Sequence, residues 1–160
     1  MDAAPDMRGD EVIRIVDWLE GAGVIYQING GWGVDALVGR QTRPHRDLDV
    51  FIDTVHQIDF MSWLYSRGYR VVEDWRPVRV ELVGPKGRVD VHPMRIDAAG
   101  DGVQQGLGDE VFVHAARDRT SGRIGGHAVV VASAERLREL RDGYVPRAID
   151  HHDIEQLDQL

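Results

Sequence analysis

The sequence predicts a domain of the α+β (mixed α/β) class, in which a mixed central sheet is flanked by helices. Segments with apolar residues at helical spacing alternate along the chain with segments of period two. Two adjacent strands, over 78–83 and 88–94, are joined by Gly-Pro-Lys-Gly at 84–87, which predicts a central antiparallel hairpin. The length of 160 residues favours a single domain over 1–160, with the last two helices, about 133–160, as a C-terminal extension.

The first half of the chain alternates helices with strands. Apolar residues at helical spacing predict a helix over 12–19, which glycines bring to an end. A short apolar run predicts a strand over 25–28, and two glycines then lead into a short helix over 32–38. Period-two alternation over 47–52 is typical of a half-buried strand, and an amphipathic helix is expected over 55–67.

The second half is richer in strands. Three further strands are expected, over 69–73, 110–114 and 127–131. The stretch 97–108 is rich in glycine, aspartate and glutamine, and we expect a loop there. Ser133 is expected to cap a helix that ends near Gly143, and a final helix is expected over 147–160.

The composition excludes several classes of protein. The absence of cysteine removes disulfides, thiolate zinc sites and cysteine nucleophiles. The net charge of −8 disfavours nucleic acid and anionic membranes as partners, because both bind mainly through cationic side chains. The N-terminus has no apolar segment and the longest aliphatic run is 128–132, so we expect a cytoplasmic protein. Lys86 is the only lysine, so a phosphate clamp must use arginine.

Two glycines stand between a predicted strand and a predicted helix. Gly30 and Gly31 would let a ligand approach the backbone, and the free amides of the helix N-terminus attract anions. An ordinary strand-to-helix turn explains the same pattern. Arg43 and Arg46 in the following basic loop could bind phosphate in a bidentate manner, or simply form a solvated loop.

Three acidic residues are candidates for a metal site. Asp47 and Asp49 lie two apart on one strand, so their side chains share a face and can converge on a cation. Alternating acids on the solvated face of a sheet are the simpler explanation. The predicted hairpin places Glu81 opposite Asp90, a repulsive pair that a metal or a cationic ligand would stabilise. His92 shares the strand face of Asp90 and either contacts a substrate or makes a structural hydrogen bond.

Together, the glycine turn and the three acids match a two-metal site for phosphoryl transfer. The segments 30–37 (GGWGVDAL) and 42–49 (TRPHRDLD) resemble antibiotic nucleotidyltransferases of the polymerase-β-like superfamily, above all the small lincosamide enzymes and next the aminoglycoside 2″-nucleotidyltransferases. The resemblance spans roughly 11–157. It continues through Asp74-Trp75-Arg76-Pro77, Glu81-Leu82, Asp90-Val91-His92-Pro93, Ser133, Glu135, Gly143-Tyr144 and His152-Asp153-Ile154.

The resemblance implies the nucleotidyltransferase fold and transfer of a nucleoside monophosphate from a nucleoside triphosphate to a hydroxyl of a small antibiotic. It implies that Asp47, Asp49 and Asp90 hold magnesium, with two ions expected, and that Asp90 also takes the proton of the acceptor hydroxyl. It further implies a triphosphate site, for which the candidates are Gly30, Gly31, Arg43 and Arg46. Glu81 and His92 are the candidates for acceptor binding.

The acceptor stays open at this point. A lincosamide is favoured by the length and the motifs, whereas the acidic surface and Glu81 suit a polycationic aminoglycoside. Arg46 and the glycine-rich stretch 100–108 depart from the family pattern. A nucleotidyltransferase-fold antitoxin acting on a protein, and an enzyme of natural-product metabolism, are the alternatives outside resistance. The oligomeric state is open, with a homodimer as one expectation.

Overall fold

The structure is a computed structural model that describes residues 4–142 and 144–160. Within these residues the helices are α1 Gly9–Gly21, α2 Gly30–Val38, α3 Gln57–Ser66, α4 Ala134–Glu139 and α5 Ala148–Asp158. The strands are β1 Tyr26–Asn29, β2 Asp47–Asp53, β3 Arg70–Trp75, β4 Arg79–Gly84, β5 Gly87–Ile96, β6 Gly102–Gln105, β7 Val111–His114, β8 Arg119–Ile124 and β9 His127–Ala132. Short 3₁₀ helices precede α3, at Thr54–His56, and β8, at Ala116–Asp118.

One mixed sheet organises the fold, in the order β3-β4-β5-β2-β1-β9-β8. The pairs β2–β5 and β1–β9 are parallel, and the other pairs are antiparallel. A short ribbon continues from the end of β5, which pairs with β6, and β6 pairs with β7. The predicted fold class is confirmed, because a mixed sheet with flanking helices is what the structure contains.

The predicted hairpin is present, with a tighter turn than expected. Gly84 pairs with Gly87, so only Pro85 and Lys86 lie between the paired residues. The register is unchanged by this difference, and Glu81 lies opposite Asp90 as predicted.

Three expectations on the second half of the chain are wrong or incomplete. Part of the predicted loop 97–108 is strand β6, where a Cβ atom at Gly102 would lie 2.3 Å from the Met94 sulfur; glycine allows this close packing. Strand β8 was not predicted, because Arg119–Ile124 shows no apolar alternation. Helix α4 begins at its Ser133 cap but ends at Glu139, and Gly143 lies outside the described residues.

The larger core lies on one face of the sheet, against α1 and α3. Trp18 of α1 stacks on Phe60 and on Trp63 of α3, each at 5.5 Å between ring centroids. The buried side chains of β2 that join this core are Leu48, Val50 and Ile52. Because side chains alternate along a strand, the acidic residues of β2 lie on the opposite face.

A second, smaller core connects the C-terminal helices to α2. It consists of Val34 of α2, Ala132 at the end of β9, Leu137 of α4 and Leu157 of α5. This packing holds α5 against α2 and close to the loop before β2. In 4–142 and 144–160, every helix is too short or too polar to cross a bilayer.

Candidate active site

A row of polar residues crosses four neighbouring strands on the face opposite the larger core. Asn29 of β1 pairs with Asp49 of β2, and Asp49 pairs with Asp90 of β5 across the parallel strands. Asp90 in turn pairs with Glu81 of β4. Paired positions project to the same face, so the parallel pairing of β2 with β5 brings Asp49 beside Asp90.

His92 lies between the two central carboxylates. Its Nε2 atom is 3.6 Å from Asp49 Oδ1 and 3.6 Å from Asp90 Oδ2. The imidazole ring stacks on Phe51 with 4.2 Å between centroids and 5° between planes. One ligand atom from each of Asp49, Asp90 and His92 lies within 4.8 Å of the other two. The structure places His92, a predicted acceptor-binding residue, inside the acidic cluster.

Asp47 lies on the same face of β2, next to the loop. Burial and then the charge of Asp49 raise the pKa of Asp47 to about 7. Arg46 is a partial counter-ion, with Nη1 3.2 Å from Asp47 Oδ2. The pKa is this high because desolvation and a neighbouring carboxylate both disfavour the charged form of Asp47.

Asp90 is the better neutralised acid. Burial alone would raise the pKa of Asp90, but His92 and Arg79 outweigh it and bring that pKa below its ordinary value. Arg79 Nη1 lies 3.1 Å from Asp90 Oδ1 and its Nη2 lies 3.0 Å from Glu73. Asp90 is therefore ionised at neutral pH and held in a fixed orientation.

Glu81, a candidate for acceptor binding, lies between two arginines. Its Oε1 atom is 3.3 Å from Arg46 Nη2 and 3.6 Å from Arg88 Nη1. Arg46 thus bridges Asp47 and Glu81. The structure brings both predicted residues, Arg46 and Glu81, to the edge of the acidic cluster.

Both predicted glycines are required by neighbouring side chains. Gly30 has φ +63°, and a Cβ atom there would lie 2.3 Å from Asp49 Oδ2. A Cβ atom on Gly31 would lie 2.3 Å from Arg43 Nη2 and 2.5 Å from His45 Nδ1. Asp49, Arg43 and His45 therefore occupy the space that any larger residue at this turn would need.

Arg43 is held by the last helix. Its Nε and Nη2 atoms each donate a hydrogen bond of 2.9 Å to the carboxylate of Asp153 in α5. Its Nη1 atom donates to the carbonyl of Pro44 at 3.0 Å. These contacts use three of the five guanidinium N–H groups and leave two for a ligand.

A cleft of about 380 Å³ joins these features. Gly30, Gly31, Asp47 and Asp49 line it on the side of the sheet. The other wall comes from the C-terminal region of the chain and consists of Leu140, Arg141, Tyr144, Arg147, Ile149, Asp150 and Asp153. Acids and arginines therefore face each other across one cleft.

A family model described as aminoglycoside-2″-adenylyltransferase matches residues 11–157. The chain belongs to this family. The predicted resemblance and the predicted enzyme class, an antibiotic nucleotidyltransferase, are confirmed. The match extends through the C-terminal helices.

Two further comparisons support this membership and a third supports the fold. A lincosamide resistance protein of Staphylococcus haemolyticus is 33% identical over 150 residues, which cover 92% of each chain. The crystal structure of the lincosamide antibiotic adenylyltransferase LnuA, bound to lincomycin, matches with a TM-score of 0.89 and 30% identity, over 96% of this chain and 98% of that one. The solution structure of the antibiotic-resistance factor ANT(2″)-Ia matches with a TM-score of 0.72 and 16% identity, over 94% and 82%.

The acidic cluster of this adenylyltransferase-family chain fits a divalent cation. Asp49 and Asp90 offer two adjacent carboxylates, and Asp47 adds a third, whose pKa is raised by burial and then by the charges of Asp49 and Asp90. Carboxylate oxygens with substrate phosphates are the ligands that Mg²⁺ prefers, whereas imidazole suits transition metals better. The predicted metal ligands are Asp47, Asp49 and Asp90, and the residues whose ligand atoms lie within 4.8 Å of one another are Asp49, Asp90 and His92. The two sets have Asp49 and Asp90 in common.

Sequence reasoning missed the wall that faces the acids. Arg141, Asp150 and Asp153 were not among the candidate residues, although Asp153 lies in a segment that resembles the family. The available signal was the resemblance of His152-Asp153-Ile154. No period or spacing predicts that this segment meets Arg43, because the two are 110 residues apart.

Proposed function

We propose that this chain transfers a nucleoside monophosphate from a nucleoside triphosphate to a hydroxyl of a lincosamide, in the presence of magnesium. The observation that carries this proposal is the pairing of Asp49 with Asp90 beside a glycine turn, in a chain with 33% identity to a lincosamide resistance protein. The likeness to the lincomycin-bound LnuA structure supports the same acceptor.

The acids are assigned to the cation and to the proton. Asp47, Asp49 and Asp90 would hold two magnesium ions, which when bound supply charge neutralisation for the triphosphate. The acceptor hydroxyl oxygen forms a bond to the α-phosphorus, and the bond from phosphorus to the β-phosphate oxygen breaks. Pyrophosphate leaves with the electron pair. The hydroxyl proton goes to Asp90, which is ionised and fixed by Arg79.

The glycine turn and the arginines are assigned to the triphosphate. Gly30 and Gly31 open α2, whose first amides have no partners within the helix and attract phosphate oxygens. Arg43 lies against Gly31 and retains two free N–H groups, and Arg46 lies beside Asp47. These arginines would orient the phosphates for displacement.

Glu81 and His92 are assigned to the acceptor side. Glu81 borders the acidic cluster at the strand next to Asp90, and His92 is fixed by its stacking on Phe51. Their position beside Asp90 would bring the acceptor hydroxyl close to the base. We place the reaction in one domain, 1–160, with 133–160 as its C-terminal extension, and in the cytoplasm. A homodimer stays a prediction, which light scattering on the purified protein would test.

An aminoglycoside is the second candidate acceptor, because the matching family model carries that description. Mass spectrometry after incubation with each of the four triphosphates and magnesium decides between the acceptors. The panel contains lincomycin, clindamycin, tobramycin and kanamycin. We expect a mass gain of one nucleoside monophosphate on lincomycin. A mass gain on tobramycin alone would identify an aminoglycoside, and not a lincosamide, as the acceptor. No mass gain on any drug would contradict the proposed function.

A further inference from the structure

A buried cluster of three charges forms part of the wall opposite the acids. Asp153 of α5 is 1% exposed and accepts two hydrogen bonds from Arg43. The same carboxylate accepts a third, of 3.0 Å, from Nη2 of Arg141. The side chain of Arg141 is 7% exposed and also donates to the carbonyl of Leu137 at 2.8 Å. One carboxylate therefore holds two guanidinium groups side by side.

The cluster carries more positive than negative charge. Two guanidinium groups face one carboxylate, and the next acid, Asp150, already accepts hydrogen bonds from Tyr144 and Arg147. The Nε atom of Arg141 is buried without a hydrogen-bond partner, with Asp150 Oδ1 3.9 Å away. A buried cationic donor without a partner is costly, and an anion in the cleft would stabilise it.

The cluster also lies where a chain of phosphates would pass. The Nη2 atom of Arg43 lies next to Gly31, at the first turn of α2. Asp153 accepts hydrogen bonds from both Arg43 and Arg141 and so joins the two arginines. Arg43, Arg141 and Asp153 line the same cleft as Asp47 and Asp49. A triphosphate that reaches from the acids along the N-terminus of α2 meets both arginines.

We propose that Arg141 is a second phosphate-binding arginine and that Asp153 is a positioning residue, which holds Arg141 and Arg43 together at the triphosphate. This inference rests on the proposed function and specifies which side chains bind its donor substrate. The planar guanidinium can donate to a carboxylate along one edge and to a phosphate along another. Asp153 acts through the two arginines and does not itself contact the phosphates, since like charges repel.

The first test measures affinity by titration calorimetry with magnesium and the α,β-methylene analogue of ATP. We expect Arg141→Gln and Asp153→Asn each to weaken binding at least about tenfold, the loss typical of a charge-assisted hydrogen bond. Binding of AMP, which lacks the distal phosphates, should change much less. Asp158→Asn is the matched control, because Asp158 of α5 also pairs with an arginine of α4, Arg138, and affinity should stay at the wild-type level.

The second test asks whether Asp153 acts through Arg43. In the double variant Arg43→Gln/Asp153→Asn, we expect a loss of affinity clearly smaller than the sum of the two single losses, because part of the effect of Asp153 passes through Arg43. A merely structural role for Asp153 predicts losses that add. Steady-state kinetics should show a raised KM for the triphosphate with a smaller change in kcat.

The outcomes separate this inference from the proposed function. If the wild-type protein neither binds the analogue nor turns over a triphosphate, the proposed function fails. If the wild type binds and folded Asp153→Asn or Arg141→Gln binds equally well, the inference is overturned while the function stands. Circular dichroism and thermal unfolding check the fold. If Asp153→Asn does not fold, Arg141→Lys is the deciding variant, because lysine keeps the positive charge but lacks the planar guanidinium group. Wild-type affinity in Arg141→Lys would overturn the inference.

Discussion

Asp49 and Asp90 face each other across two parallel strands that the chain reaches forty-one residues apart, with His92 Nε2 3.6 Å from a carboxylate oxygen of each. Parallel neighbours need a long connection, and here it contains α3 and the β3–β4 hairpin. The connection brings Asp90 beside Asp49, and no local sequence motif spans both residues. Burial first, and then the charge density of this acidic cluster, raise the pKa of Asp47 to about 7.

The first prediction concerns the acid pair. We expect Asp49→Asn to abolish nucleotidyl transfer while the protein stays folded, because the side chain faces the cleft and not the larger core. The pKa of Asp47 should fall toward its ordinary value, since the charge of Asp49 is one cause of its rise. Carbon-detected NMR titration of the aspartate carboxyls measures this shift. Magnesium-dependent turnover that survives in Asp49→Asn would remove Asp49 from the metal site.

The second prediction concerns the glycine turn. A side chain at Gly31 would displace Arg43 and His45, so we expect Gly31→Val to weaken triphosphate binding far more than lincomycin binding. Gly21→Ala is the control, because a Cβ atom there has no neighbour within 4 Å. Calorimetry with each ligand compares the two variants. An unchanged affinity for the triphosphate analogue in folded Gly31→Val would contradict the assignment.

The third prediction concerns the base. Asp90→Asn keeps the shape of the side chain but cannot take the proton, so we expect kcat to fall roughly 100-fold or more, with nucleotide affinity less affected. Glu73→Gln is the control, because Glu73 shares Arg79 with Asp90 but lies on the outer strand β3. Steady-state rates with saturating lincomycin distinguish the two. Equal rates in both variants would assign the proton to another group.

The fourth prediction concerns stability at low pH. Burial alone would raise the pKa of Asp150, but the hydrogen bonds from Arg147 and Tyr144 outweigh it and lower the pKa to about 2. An unfolded aspartate has a pKa of about 3.9, so the stabilisation is complete above that value and is lost as the pH falls toward 2. The shift corresponds to about 2–3 kcal/mol.

Urea unfolding of the wild type and Asp150→Asn at pH 7 and pH 3 measures this contribution. The variant should be less stable at pH 7, and the difference between the two proteins should shrink at pH 3. Asp158→Asn, whose ion pair with Arg138 lies at the exposed surface, should show a much smaller effect. A difference that stays constant between the two pH values would contradict the prediction.

The local parts of the site could be predicted from the sequence. The alternation of side chains along β2 correctly predicts that Asp47 and Asp49 lie on one face. The turn at 84–87 correctly predicts that Glu81 lies opposite Asp90. Both depend on residues close together in the chain. The pairing of β2 with β5, and the contact of Arg43 with Asp153, depend on tertiary packing that no short segment encodes.

The two missed strands show the same limit. Strand β8 is hydrogen-bonded to β9, and a Cβ atom on its Gly122 would lie 2.8 Å from the carbonyl oxygen of Ala36 in α2. Strand β6 lies so close to Met94 of β5 that Gly102 is needed there. In both, a glycine that resembles a loop signal permits close packing of one element on another, so propensity alone gives the wrong assignment.

The contact between Arg43 and Asp153 also sets the order in which the site is completed during synthesis. Domains fold as the chain emerges, and the N-terminal residues emerge first. The glycine turn, β2 and Arg43 leave the ribosome long before α5, and until then Arg43 lacks the carboxylate that orients it. A ribosome that stalls before α5 would display the acids and the glycine turn without the facing wall. Under the proposed assignment of Arg43 to the triphosphate, the capacity to bind the nucleotide would therefore arise only once α5 has emerged.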